Sequence, residues 1–126
     1  MSTTADITRS YLASFTTGEP DAVAAHVTDD FVNEHTAALG TGCVGKTEYR
    51  KRLPDFLARF AGLRYDIEDL ITEGNKSAVA YTMRANSAGH DITVRGVMRI
   101  TVRDGLVAHR TDYWDALGFL KQIGQA

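Results

Sequence analysis

The chain has 126 residues, 44% of them apolar and 24% charged, with a net charge of −2. Those proportions predict a soluble globular protein with a single domain over residues 1–126 and exclude collagen, coiled coil and extended disorder, while the missing basic excess excludes nucleic acid as an expected partner. Cys43 is alone, so no disulfide or cysteine zinc cluster is expected; no signal peptide or membrane-spanning apolar run is visible, and the expected location is cytoplasmic.

In chain order, Ile7, Tyr11, Leu12 and Phe15 recur at spacings of three and four and predict an amphipathic helix ended by Gly18. Pro20, near a first turn, opens a short second helix through Val27. Asp29-Asp30 read as a turn into a short strand, Phe31–Thr36. After the glycine-rich segment Gly40–Gly45, a third helix begins near Thr47. Its apolar positions are Tyr49, Leu53, Phe56, Leu57 and Phe60, and Pro54 predicts a kink or break near Leu53. Beyond Gly62 the pattern becomes strand-like in four runs, Leu63–Thr72, Lys76–Ala88, Asp91–Arg103 and Leu106–Asp115. Glu73-Gly74-Asn75, Ser87–Gly89 and Asp104-Gly105 separate them. Ala116–Ile123 predicts a short closing helix. Helices followed by an antiparallel meander give an α+β architecture, with helices on one face of a curved sheet.

Strand parity assigns faces. In Asp91–Arg103 the even positions Ile92, Val94, Gly96, Met98, Ile100 and Val102 face inward, and Arg95, Val97, Arg99 and Thr101 face outward. In the last strand the same argument, begun at Leu106 and Ala108, carries Arg110, Asp112 and Trp114 inward. Phe31, Asn33 and His35 share one face of the first strand. Polar groups on faces that ought to be apolar are candidates for chemistry. Each also has a structural reading: Asp112 as partner of Arg110 or of backbone donors, His35 as a strand-end residue, Tyr11 as core.

Gly40-Thr-Gly-Cys-Val-Gly45-Lys46-Thr47 fits the phosphate-loop pattern G-x-x-x-x-G-K-[ST]. Its context does not. Such a loop follows directly from an apolar strand of a parallel sheet, whereas the strand here carries Asn33, Glu34 and His35 and ends four residues earlier. Nucleotide binding is therefore not expected.

Taken together, the segments Tyr11 to Phe31, Gly45-Lys46, Tyr65 to Gly74 and Arg95 to Ile100 resemble the nuclear-transport-factor-2-like superfamily. The run Asp104-Gly-Leu-Val-Ala-His-Arg-Thr-Asp-Tyr-Trp-Asp-Ala-Leu-Gly-Phe-Leu-Lys-Gln-Ile-Gly124 is the most specific part and is similar to its SnoaL-like polyketide cyclase branch. The resemblance implies a cone-shaped α+β barrel, a strongly bent sheet around a helix with an apolar cavity between them, and often a homodimer through the outer sheet face. Activities in the superfamily include polyketide cyclisation, steroid isomerisation and epoxide hydrolysis, alongside non-catalytic binding modules.

The resemblance also implies roles. Asp112 stands where the cyclases place an acid/base aspartate. Tyr11 matches the helix-one tyrosine of the steroid isomerases. His35 lies where those isomerases carry their general base, and Gly96 where they carry a protonated aspartic acid. The second-strand Arg and Asp of the epoxide hydrolases are missing from Ala78–Tyr81. The expectation is a cofactor-independent acid–base enzyme acting on a small apolar carbonyl, polyketide or cyclic substrate, with Asp112, His35 and Tyr11 as catalytic groups. The alternative is a non-catalytic module of the same fold. Phe15, Phe31, Asn33, Phe56, Phe60, Met83, Val94, Met98, Arg110 and Trp114 are the expected substrate-binding residues. No metal or cofactor is expected. Burial beside Trp114 raises the pKa of Asp112, whereas pairing with Arg110 lowers it; the sequence leaves that sign open.

Overall fold

The computed structural model describes residues 2–126. The first helix, α1 (Thr4–Ser14), starts at a reciprocal cap: the Thr3 hydroxyl accepts the Asp6 N–H and the Asp6 carboxylate accepts the Thr3 N–H, each at 3.1 Å. A 3₁₀ turn, Phe15–Thr17, prolongs it and closes on Gly18 at φ 68°, a left-handed end that suits glycine. Pro20 is the first residue of α2 (Pro20–Ala24), where its missing N–H costs nothing.

The strand β1 (Val27–His35) begins earlier than its sequence suggests. Asp29 and Asp30 do not turn the chain; they lie within the strand, exposed, where its pairing register shifts. Asp30 is ion-paired with Arg103 and accepts from the Thr28 hydroxyl at 2.8 Å, which stabilises the extended chain there. The glycine-rich segment contributes a short strand, β2 (Cys43–Val44), paired antiparallel with β1, and the Gly45 N–H is spent on the Phe31 carbonyl. Those contacts stitch the segment to a sheet edge.

Helix α3 (Lys46–Arg59) runs through Pro54 without a break. Pro54 lies on the exposed side of the helix, while Tyr49 and Leu53 before it and Phe56 and Leu57 after it pack on the core. The meander β3 (Ala61–Glu73), β4 (Lys76–Ser87), β5 (His90–Arg103) and β6 (Leu106–Trp114) follows as predicted, then α4 (Ala116–Gln122). The six strands form a curved, unclosed sheet in the order β2-β1-β6-β5-β4-β3. All neighbours are antiparallel except β1 and β6, which are parallel.

Helix α1 lies against β3 to β6, and the buried Thr8 hydroxyl meets that of Ser77 on β4 at 2.8 Å. Tyr11, Phe15, Phe31, Tyr81 and Phe119 are fully buried between helices and sheet. Each such side chain contributes about 1.5–3 kcal/mol of hydrophobic stabilisation.

The inward face of β5 is the predicted one, with Ile92, Val94, Met98, Ile100 and Val102 buried. That of β6 is not simply alternating. Val107 is buried while Leu106 and Ala108 are only half-buried, and the register with β5 shifts between Thr101 and Val102. A bulge at this point moves the inward face from odd to even positions, so Leu106 and Ala108 do not begin the face that Arg110 and Asp112 continue.

Gly96 has a specific reason. A Cβ there would collide with the Tyr81 hydroxyl and stand 2.6 Å from the Tyr113 carbonyl oxygen. Gly96→Ala is expected to destabilise the fold by about 1–3 kcal/mol through overpacking, read as a lower urea midpoint with unchanged slope. A midpoint equal to wild type would mean that the sheet gives way at no cost.

Candidate active site

Parallel pairing of β1 with β6 builds the site. Its register sets Asn33 beside Arg110 and His35 beside Asp112 on the inner face. The Thr36 N–H and hydroxyl both donate to the Asp112 carbonyl, at 3.0 and 3.1 Å, and fasten the end of β1 to that point of β6.

Asp112 is 3% exposed, and both of its carboxylate oxygens are engaged. Arg110 Nη2 donates to Oδ2 at 2.7 Å, and the Tyr81 hydroxyl donates to Oδ1 at 2.6 Å. Arg110 therefore reaches inward, and a counter-charge and a phenol donor meet the carboxylate that burial beside Trp114 would otherwise leave unpaired. Arg110 Nη1 also donates to the Tyr11 oxygen at 2.9 Å; the Tyr11 and Tyr49 hydroxyls are 2.6 Å apart. The guanidinium lies 5.8 and 5.7 Å from the Tyr11 and Phe15 ring centres. Burial opposes the Arg110 charge, but Tyr11 and Asp112 outweigh it and its pKa lies well above the usual arginine value. Burial pushes the Tyr81 phenol far up, so it remains a proton donor to Asp112.

His35 is half-buried, and its pKa falls from 6.5 to about 4. Burial is the main cause and the Arg110 charge the second, with Asp112 acting the other way. The ring is neutral at pH 7. The loop before β2 covers it closely: a Cβ on Gly40 would collide with the His35 side chain.

A folded-state pKa below the unfolded one means that the unfolded chain binds the extra proton first. The His35 contribution is thus fully present above pH 6.5 and is lost as pH falls from 6.5 toward 4. The expected loss is about 2 kcal/mol after allowance for partial exposure. Urea unfolding of wild type and His35→Phe across that range checks it, since the difference between them should track pH only below 6.5. Parallel profiles reject the assignment.

These groups border an apolar cavity of about 200 Å³ whose wall includes His35, Phe56, Phe60, Met83, Val94, Arg110, Asp112 and Trp114. A second lobe of about 170 Å³ shares His35, Thr41, Phe56 and Arg110 with it and adds Phe15 and Asn33. Four buried polar atoms of these residues, Asn33 Oδ1, His35 Nδ1, Arg110 Nε and Trp114 Nε1, have no hydrogen-bond partner among the described residues. Most of the residues expected to line a cavity thus come together.

Three stand elsewhere. Phe31 and Met98 are fully buried in the packed core, and Tyr11 lies behind Arg110; none is on the wall of either lobe. Tyr65, Tyr81, Arg59 and Phe119 line the main lobe and are absent from the sequence-based expectation. Tyr81 was the most findable of them: it shares the inward parity of Val79 and Met83 on β4, and a buried phenol needs a partner.

The model of the SnoaL-like domain family matches residues 8–110. A search of curated proteins finds no match. Among solved structures, the chain is similar to a protein of ketosteroid isomerase-like fold from Catenulispora acidiphila DSM 44928, solved with trimethylamine (TM-score 0.88, 17% identity, 98% of this chain and 96% of that one). It is also similar to a protein described as a SnoaL-like polyketide cyclase from Shewanella denitrificans OS-217 (0.86, 14%, 98% and 98%). A third is an LEH-like epoxide hydrolase from M. tuberculosis (0.82, 18%, 97% and 90%). At these identities the likeness shows a shared fold.

Proposed function

The chain belongs to the SnoaL-like domain family, and from that premise we propose that it is a cofactor-independent acid–base enzyme acting on a small cyclic or polyketide-like carbonyl compound. The observation that carries the reading is the buried Asp112 carboxylate at the cavity wall, oriented by Arg110 on one oxygen and Tyr81 on the other, beside a neutral His35. Each oxygen keeps a further lone pair. The carboxylate takes a proton from the carbon next to the substrate carbonyl, and the C–H electron pair moves onto the carbonyl oxygen as an enolate. His35 offers an imidazole N–H to that oxygen. Returning the proton to the same carbon completes exchange, and returning it to a conjugated carbon completes isomerisation; in ring closure the enolate carbon instead bonds to a second carbonyl carbon of the same molecule, whose C=O π pair moves onto its oxygen and takes the proton. Tyr11 acts through Arg110 and is a positioning residue.

The same ion pair also favours a second reading, in which Arg110 and Asp112 are a satisfied structural pair in a binding module without turnover. Deuterium exchange separates the two. A cyclic ketone probe such as 2-tetralone, followed by proton NMR in D₂O, is expected to lose its α-proton signal faster with protein than in buffer. Equal rates across a panel of α-acidic cyclic ketones favour the binding module.

We also propose a homodimer through the outer sheet face. Val97 and Tyr113 are neighbours there, 37% and 40% exposed, and Arg99 donates to the Tyr113 hydroxyl at 3.0 Å. Such a mixed aromatic and arginine patch suits an interface. Sedimentation is expected to give twice the 13.8 kDa chain mass, and a strictly monomeric mass at about 100 μM, well above the Kd of a specific dimer, rejects it.

A further inference from the structure

The charge on the cavity wall is unlike that of the whole molecule. The chain is net negative at −2, yet the wall of the main lobe carries Arg59, Arg110 and Asp112 as its charged groups, with His35 neutral at pH 7. Arg110 and Asp112 cancel in their ion pair. Arg59 is left uncompensated. It is exposed in the last turn of α3, its guanidinium 5.4 Å from the Phe60 ring centre and 5.5 Å from that of Phe119, both on the cavity wall. Among the described residues no carboxylate pairs with it. Arg52, on the neighbouring lobe, is by contrast satisfied by Glu48 and by the Gly42 carbonyl.

A cation in a last helical turn interacts favourably with the helix C-terminus, and any basic side chain would serve that purpose. Helix position alone does not account for a guanidinium set against two aromatic rings of a ligand-sized cavity. The two rings hold the guanidinium against the cavity wall, and its N–H edge, which no carboxylate among the described residues occupies, matches a carboxylate with two parallel hydrogen bonds.

We propose that the ligand is an aromatic or cyclic carboxylic acid, its carboxylate held by Arg59 at the cavity mouth and its ring packed among Phe56, Phe60, Phe119 and Trp114. The inference deepens the reading of this cavity as a substrate site. Arg59 is exposed whereas Asp112 on the same wall is buried, so an acid held at Arg59 presents its ring, and a carbonyl on that ring, to the interior of the lobe. An acid would be selected at the mouth by charge, and its neutral ester or amide disfavoured.

Calorimetric titration with 2-naphthoate and 2-naphthamide, which differ in charge but little in shape, tests this without requiring turnover. Wild type is expected to bind the acid at least tenfold more tightly than the amide. Arg59→Gln is expected to bring that ratio to within about twofold, chiefly by weakening the acid, and Arg59→Lys to fall between. A wild-type ratio near one, a ratio that survives Arg59→Gln, or no binding of either probe at 1 mM overturns the proposal. Failure of the acid–base reading has a different signature: no deuterium exchange by wild type, with the Arg59-dependent ratio intact.

Discussion

Asp112→Asn is expected to lower kcat for proton exchange by about 10²–10⁴, the range for a positioned acid–base group. The substitution is nearly isosteric. The amide that replaces the carboxylate keeps an oxygen for Arg110 and turns its N–H toward the Tyr81 oxygen, so shape and most hydrogen bonds persist while proton uptake is lost. KM should change little, because the apolar wall that binds the ring is untouched. The variant leaves Arg110 without its counter-charge, and a stability loss toward the low end of about 3–5 kcal/mol accompanies the kinetic effect. Rates are therefore compared at a temperature where circular dichroism shows the variant folded. Unchanged turnover in the folded variant eliminates Asp112 as the base. Global unfolding under all conditions assigns it to structure instead.

Arg110→Met is expected to have the largest effect on stability, a loss of about 3–5 kcal/mol, because it strands the Asp112 carboxylate at 3% exposure. Three contacts go at once: the bond to Asp112 Oδ2, the bond to the Tyr11 oxygen, and the cation–π approach of the guanidinium to the Tyr11 and Phe15 rings. Methionine fills much of the volume, so the loss reports charge more than cavity. The double variant Arg110→Met, Asp112→Leu removes both charges and should recover most of the stability, while remaining inactive. Urea unfolding of the two singles and the double measures their coupling. Additive losses would show that the pair does not act as a unit.

Much of this architecture was legible because it is written locally. Gly18 and Pro20 punctuate the helices by their own backbone preferences, Asp104-Gly105 forces a hairpin, and the even-numbered apolar positions of β5 define an inner face by period alone. The resemblance carried by the C-terminal run then pointed to the fold. Asp112, His35, Asn33 and Trp114 stood out because polar or large aromatic groups on an apolar face carry a local signal.

What the sequence by itself determined is this punctuation and the faces of uninterrupted strands. The site was decided by contacts between residues far apart in the chain. No local pattern announces that β1 pairs parallel with β6, yet that register sets His35 beside Asp112. The change of face along β6 turns on one bulged residue, and periodicity has no symbol for a single insertion. Gly96 read as a missing catalytic residue; in the fold it is the space through which the Tyr81 hydroxyl reaches Asp112. Whether Arg110 turns toward Asp112 could not be read from their shared parity, because pairing depends on what else surrounds both groups. Tyr11 and Phe15, Tyr49, and Tyr81 supply that surrounding from three other segments. Burial makes an unpaired charge costly, and only the assembled fold determines which groups are buried together.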